Sequence, residues 1–393
     1  NLFRASHYPR AAKMYAMFDY YGLYCMDEAD VECHFSWDQG GEGGGITNEA
    51  SWKAQYVDRT VRMVYRDRNF PSVIFWSLGN ESGGGSNFAH TYAATRALDP
   101  RPIHYEGASR AGTAHTDIWS EMYPTVSEVR SRCMYNNRQQ PYFMCEYAHA
   151  MGNAVGNLQE YWDAIEGSKF GIGGCVWDWV DQSIYAADDI KKGTLEVNGY
   201  NKYRTGYDYP GPHQGNFVNN GLVAADRAWS PELTEVKSVY QYIKFVSFDA
   251  SSKKLVIKNA YDFISLNAFD LKYTLLSNGV EVENGVVKLP AVAPNEQATI
   301  EIPYTTVATE GEELLLNIDV CYGEAQLWVE AGYAVASKQY TLAKRPSTVA
   351  ATASEETLTM STTSKGRLFK NDNVSIEFAE NGTLLSWNVG GNE

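Results

Sequence analysis

The stretch PYFMCEYAHAMGNAVG, residues 141–156, decides how this chain is read. Its apolar run Tyr142-Phe143-Met144-Cys145 has the length and composition of a short buried strand. The run ends on a carboxylate, Glu146, followed closely by Tyr147, His149 and Asn153. Burying a charge is costly, so a carboxylate closing a core strand is expected where strand ends open into a cleft. A second stretch of the same design lies upstream: PSVIFWSLGNESGGG, residues 71–85. There 73–78 is the strand, and Asn80-Glu81 is the polar pair at its mouth. Two glutamates on the ends of two parallel strands are what glycoside hydrolysis requires.

Working outward, the surroundings repeat this strand-then-helix unit. A strand over 2–6 ends in His7-Tyr8-Pro9, and a helix with Met14, Met17, Phe18 and Tyr21 follows, closed by Gly22. Strand 23–26 ends in Asp27-Glu28 and leads to Val31-Glu32-Cys33-His34. The glycine-rich stretch 40–45 lacks the strand-before, helix-after spacing of a phosphate cradle and reads as a surface loop. Thr47 or Asn48 is expected to cap a helix carrying Trp52, Tyr56, Val57, Val61 and Val64, which Asn69 and Pro71 end. Further helices are expected from a cap near Ser86, over 126–135, over 158–165 and over 231–240. Further strands are expected over 103–105, 118–120 and 174–177. Residues 185–220 read as a long loop rich in Tyr, Gly and Pro. Strands alternating with helices at this spacing predict parallel β/α units, which close into a (β/α)8 TIM barrel, an α/β fold. Seven strands are recognisable rather than eight.

From about Tyr242 the texture changes to short alternating strands over 254–257, 270–276, 286–289, 298–302, 314–320 and 339–342, with Ser277-Asn278-Gly279 as a hairpin turn. This predicts an immunoglobulin-like β-sandwich. Residues 348–364 read as a Ser/Thr-rich linker or edge. Strands 374–378 and 384–387 around Asn381-Gly382 form a hairpin too small to fold alone. The expected domains are 1–241, 242–345 and 346–393.

Composition narrows the function. The chain has 393 residues and a formal net charge of −15, which argues against nucleic acid or an anionic membrane as partner. Aromatic residues make up 13%, suited to stacking on sugars, although most such rings serve as core. The six cysteines (Cys25, Cys33, Cys133, Cys145, Cys175 and Cys321) have no paired spacing and read as reduced, buried thiols. No run of 18 apolar residues exists to span a membrane. Residues 1–6 read as the inside of a domain rather than a signal peptide, so the compartment is unknown.

The motifs CEYAHAMGN and WSLGNESG, together with SHYP at 6–9, resemble the lactase-type β-galactosidases of glycoside hydrolase family 2. The resemblance implies an internal segment of a longer protein, with the barrel missing its first βα unit and the last residues entering a C-terminal β-sandwich. It implies that Glu146 is the nucleophile and Glu81 the acid/base of a retaining hydrolase, whose carboxyl groups stand about 5–5.5 Å apart across the scissile bond. It further implies that Arg4 holds the nucleophile ionised and that Tyr123 is its hydrogen-bond or proton partner. By the same likeness His7 and His149 bind galactosyl hydroxyls, Asn80 meets the 2-hydroxyl, and Trp177 floors the C6 edge.

Glu32-x-His34 with Glu81 is the metal candidate. Two oxygens and an imidazole suit a hard divalent cation, Mg²⁺ rather than zinc, and the resemblance assigns these residues to magnesium. Phe35 departs from the family, which has Gly after the His. Phe217 and Asn220 match the family's sodium site, whose further ligand comes from an N-terminal domain. The expected substrate is a β-galactoside (lactose or a galactose-containing oligosaccharide), and the full-length protein is expected to be a homo-oligomer. The enzymatic alternative is a β-glucuronidase or another exo-β-glycosidase. A glucuronidase would need cationic groups for the sugar carboxylate, and none clusters near these strand ends. The non-enzymatic alternative is an inactive sugar-binding or structural fragment, because seven strands leave an unpaired edge.

Overall fold

The computed structural model describes residues 1–34, 45–135, 137, 139–197, 199–345 and 357–391. Phe35, the glycines at 40–44 and most of the expected linker lie outside the described residues. The chain forms two compact units, Asn1–Tyr273 with Gly285–Pro303 and Ile318–Lys338, and Thr274–Asn284 with Tyr304–Asn317 and Gln339–Glu393.

The first unit contains the barrel. Strands β1 (Leu2–Arg4), β2 (Tyr24–Glu28), β3 (Val73–Ser77) and β4 (Ile103–His104) pair in parallel in that order. Strands β5 (Trp119–Met122), β6 (Tyr142–Tyr147) and β7 (Gly171–Val176) form a second parallel set. Parallel neighbours need crossovers. Helices α1 (Ala12–Tyr21), α2 (Lys53–Asp67), α3 (Asn87–Leu98), α4 (Glu106–Ala111), α5 (Val126–Met134) and α6 (Leu158–Glu166) supply them. The seam between β4 and β5 is bridged by Asp117 N–H donating to the Ile103 carbonyl at 2.7 Å, and by His104 Nε2 meeting Ser120 Oγ at 2.9 Å.

The barrel interior is packed with side chains. Met26, Ile118, Phe143 and Cys145 are buried together, with Leu2, Phe75, Met122 and Cys175 against them. The outer faces of the strands bury separate sets under the helices, including Tyr15, Val64, Trp76 and Phe88 in one and Tyr142, Met144, Tyr147 and Leu158 in another. Strand β6 therefore alternates: Phe143 and Cys145 face in, Met144 and Tyr147 face out. A cleft of about 950 Å³ runs along β1 and β7, lined by Leu2, Arg4, His7, Gly174 and Trp177 among others.

Two local expectations are corrected. Neither Thr47 nor Asn48 caps α2, because a 3-10 turn, Ala50–Trp52, precedes it. The Asn48 side-chain oxygen, Oδ1, instead accepts from the Ser86 amide at 2.7 Å. The expected loop 185–220 contains a helix, α7 (Ala187–Lys192), and a two-residue hairpin, β8 (Glu196–Val197) with β9 (Tyr200–Asn201). Short α4 was unread in sequence as well. The last barrel helix, α8 (Pro231–Val239), starts as its sequence dictates: Ser230 Oγ accepts from the Leu233 amide and proline stands in the first turn.

Beyond the barrel, β10 (Ile243–Asp249), β11 (Lys254–Asn259) and β14 (Gln297–Glu301) form an antiparallel sheet, the first of these being a strand that the alternation did not disclose. Longer strands β12 (Phe269–Ser277), β13 (Val280–Lys288), β15 (Leu314–Tyr322) and β16 (Ala334–Ala343) form another sheet, in the order β13-β12-β15-β16, consistent with the expected sandwich. Leu271, Tyr273 and Leu275 are buried in alternation, as are Leu314, Leu316, Ile318 and Val320. Asn278 and Gly279 take positive φ in the hairpin turn. The expected C-terminal hairpin is the last pair of a four-stranded meander of β17 (Thr359–Thr362), β18 (Gly366–Lys370), β19 (Val374–Ala379) and β20 (Leu384–Val389). All six cysteines are free. No helix among the described residues is long and apolar enough to cross a membrane.

Candidate active site

Glu146 reaches the site through an irregularity in its strand. In strict alternation it would share the outward face of Met144. The β6–β7 register shifts between Met144 and Tyr147, and the β5–β6 register shifts at Met122 opposite Glu146. Such bulges re-aim a side chain. Here the carboxylate turns inward to meet Arg4, with Arg4 Nη1 2.9 Å from Glu146 Oε1. The other oxygen, Oε2, accepts from the Tyr123 hydroxyl at 2.7 Å. Tyr123 is anchored at its other end too, its amide donating to the Glu146 carbonyl at 2.9 Å. Burial, then the charge and hydrogen bond of Glu146, push the Tyr123 phenol well above its ordinary value, so it stands as a donor.

Arg4 ends β1 and is buried. Its Nη2 donates to Asn80 Oδ1 at 2.9 Å, while Nε and Nη2 grip Glu28 at 2.8 and 3.1 Å. Glu28 also accepts from Ser77 Oγ and meets His7 Nδ1, at 2.7 and 2.8 Å. Burial opposes its ionisation, yet Arg4 and His7 outweigh that and hold its carboxyl down at about 2. Glu28 was visible in sequence only as half of an acidic pair closing a strand. Its partners lie 24 and 21 residues back, and only the parallel β1–β2 pairing brings them to it.

The acid-bearing loop depends on one glycine. Gly79 has φ +144°, and a Cβ there would lie 2.4 Å from the Val31 carbonyl oxygen. Its absence lets the Asn80 amide donate to that oxygen at 2.8 Å. Asn80 Nδ2 then reaches Glu32 Oε1 at 3.3 Å. His34 Nε2 lies 3.1 Å from Glu32 Oε1 and 2.8 Å from Glu81 Oε2. Ligand atoms of Glu32, His34 and Glu81 all fall within 4.8 Å of one another. This donor set, exposed on one side to water, fits a hard divalent cation that keeps part of its hydration.

The remaining expected residues surround this path. The Trp177 ring stacks on His7 at 5.1 Å between centroids. His149 lies between Tyr123 and Phe217, ring centroids 5.8 and 6.0 Å away, and burial lowers its pKa. Asn220 stands farther along, tied by Nδ2 to the Phe217 carbonyl at 2.9 Å, and its buried Oδ1 has no hydrogen-bond partner among the described residues. An orphaned buried carbonyl is costly. It is also the type of oxygen a sodium ion would take. The structure thus joins Tyr123, Glu146, Arg4, Asn80, Glu32, His34 and Glu81 in one line of polar contacts, with His7, Trp177 and His149 beside it. Phe217 and Asn220 form a separate neighbouring group.

A family model described as glycosyl hydrolases family 2, TIM barrel domain, matches residues 1–245, and one described as beta-galactosidase, domain 4, matches 255–343. Curated relatives named beta-galactosidase include one from Priestia megaterium, 36% identical over 94% of this chain and 36% of its own length. Another, from Photobacterium profundum, is 36% identical over 88% of this chain and 34% of its own. The chain therefore spans about a third of the length of these relatives. Among solved structures, Bacteroides uniformis beta-glucuronidase 3 is similar at 15% identity and a TM-score of 0.44, covering 98% of this chain and 49% of that one.

Proposed function

The chain belongs to glycosyl hydrolase family 2, and on that premise we propose that it carries the reaction centre of a retaining β-galactosidase. One observation carries this reading: two glutamates from separate strand ends terminate a single line of polar contacts, Glu146 clamped by Arg4 and Tyr123, Glu81 held beside His34.

In this reading Glu146 attacks the anomeric carbon while Glu81 gives its proton to the departing glycosidic oxygen. The sugar is left esterified to Glu146. Glu81, now a carboxylate, takes a proton from water, and the water oxygen displaces Glu146 from the anomeric carbon. Arg4 and Tyr123 fix both oxygens of the nucleophile before substrate arrives, so little reorganisation is left for the reaction itself. Asn80 offers its amide toward the 2-hydroxyl, His7 and His149 toward the other hydroxyls, and Trp177 an apolar floor. Glu32, His34 and Glu81 would hold magnesium, which would supply fixed positive charge beside the acid/base. Phe217 and Asn220 would hold sodium through their carbonyl oxygens. A galactose rather than a glucuronic acid glycone is supported by the beta-galactosidase names of the relatives and of the second family model.

The test is hydrolysis of nitrophenyl β-galactoside with magnesium by the full-length protein that carries this chain, with Glu146→Gln as the blank. Turnover above the blank is expected. Turnover of nitrophenyl β-glucuronide alone would replace the sugar assignment, and silence on every nitrophenyl glycoside would leave a binding or structural segment.

A further inference from the structure

Resting on the reading of Glu146 as nucleophile, we propose that Glu28 is a positioning residue for the reaction, aiming Arg4 at the nucleophile and His7 at the sugar from one buried carboxylate. Glu28 is fully buried, a costly place for a charge unless its partners are good. They are: Oε1 faces Arg4 Nη2 and His7 Nδ1 at 3.1 and 2.8 Å, and Oε2 faces Arg4 Nε and Ser77 Oγ at 2.8 and 2.7 Å.

The consequence lies in what these bonds leave over. A two-point grip fixes the plane of the guanidinium, so Nη1 is the atom presented to Glu146. With His7 Nδ1 committed to Glu28, Nε2 is the ring nitrogen offered to the cleft, 3.8 Å from Glu146 Oε1 and 3.4 Å from Asn80 Nδ2. Behind Glu28, among the described residues, stand the neutral Ser77 and His104. Ser77 Oγ meets His104 Nδ1 at 3.0 Å, and burial followed by the Arg4 charge holds that imidazole neutral, down at about 3. Among the described residues, the basic partners that meet the Glu28 carboxylate are therefore Arg4 and His7, both residues of the site. A staple between strands would need neither His7 nor the orientation of Nη1.

The experiment compares Glu28→Gln with the unaltered full-length protein in three measurements. The first is the rate at which a 2-deoxy-2-fluoro-galactosyl fluoride esterifies Glu146, read by mass spectrometry. The others are the affinities for galactonolactone, which mimics the flattened transition state, and for a thiogalactoside, which mimics the ground state. Labelling is expected to slow at least about tenfold, and lactone affinity to fall about tenfold or more, with thiogalactoside affinity within about threefold. A merely structural role predicts equal losses for both ligands, and that result, or unchanged labelling, overturns the proposal. Should Glu28→Gln not fold, Ser77→Ala removes one of the four bonds from outside the cleft. It is expected to slow labelling about threefold, and no slowing counts against the proposal. If the unaltered protein is labelled elsewhere than Glu146, the nucleophile assignment fails, and the Glu28 proposal fails with it. If only a glucuronyl probe labels Glu146, the sugar assignment fails alone, and the same comparison with glucuronyl ligands decides Glu28.

Discussion

Arg4 and Glu146 are 142 residues apart in sequence, yet Nη1 of one lies 2.9 Å from Oε1 of the other. The contact joins the end of the first strand to the end of the sixth, and the same guanidinium also reaches Glu28 and Asn80. An ammonium cannot serve three partners in one plane. Arg4→Lys is therefore expected to lower kcat/KM about a hundredfold, and Arg4→Ala further, since one charge-assisted bond is worth about 1.5–3 kcal/mol. Steady-state kinetics with nitrophenyl β-galactoside check this. A lysine variant within a factor of three of the parent would show that charge alone is enough.

The two glutamates are expected to fail differently. In the proposed mechanism Glu146→Gln removes the group that forms the glycosyl ester and should abolish turnover of every substrate. Glu81→Gln removes acid assistance, which matters less when the leaving group is already good. The loss on nitrophenyl β-galactoside should thus be smaller for Glu81→Gln than for Glu146→Gln, and should grow on lactose. Equal losses for both variants on both substrates would contradict the assignment.

Glu32, His34 and Glu81 are expected to bind magnesium. Chelation should lower activity, and added magnesium should restore it. His34→Ala removes the imidazole without touching Glu81, so the magnesium concentration for half-activation should rise about tenfold or more. Calorimetric titration of the chelated protein with magnesium gives the same comparison without turnover. Identical titrations for parent and variant would take His34 out of the site.

The residues of the proposed site were easier to pick out in the sequence than the contacts that hold them. Glu81 and Glu146 were legible because each closes an apolar run at the mouth of a strand. The bulge that turns Glu146 inward was not legible, since it exists only in the register between β6 and its neighbours. Glu28 stood in plain view after Met26-Asp27, but a carboxylate's burial is set by partners that pairing brings from elsewhere. Helix α4, six residues of EGASRA, is too short to show a period. Asn48 has the chemistry of a helix cap, and a distant amide, that of Ser86, took its oxygen instead. Apart from α4, missed for its shortness, these misses are tertiary contacts overriding a local preference.

One buried group outside the site makes the fold itself pH-sensitive. Asp27 precedes Glu28 on β2 but faces the helices, where it is fully buried and accepts from the Tyr15 hydroxyl at 2.6 Å. Burial, and then sharing a hydrogen bond with Asp67, raise its carboxyl to about 8; Tyr15 and the nearby Arg66 charge oppose this. The native state therefore keeps a proton here that the unfolded chain releases near the ordinary aspartate value, about 3.9. The stability this proton contributes is complete below that value and is lost progressively as pH rises towards 8. Asp27→Asn mimics the protonated form, keeping an oxygen for Tyr15 and an N–H for Asp67. Thermal melts from pH 5 to pH 8.5 should show the variant losing less stability than the parent, by on the order of 1 kcal/mol, because one titrating group has been removed. Parallel curves for the two proteins would mean that Asp27 is already ionised in the fold.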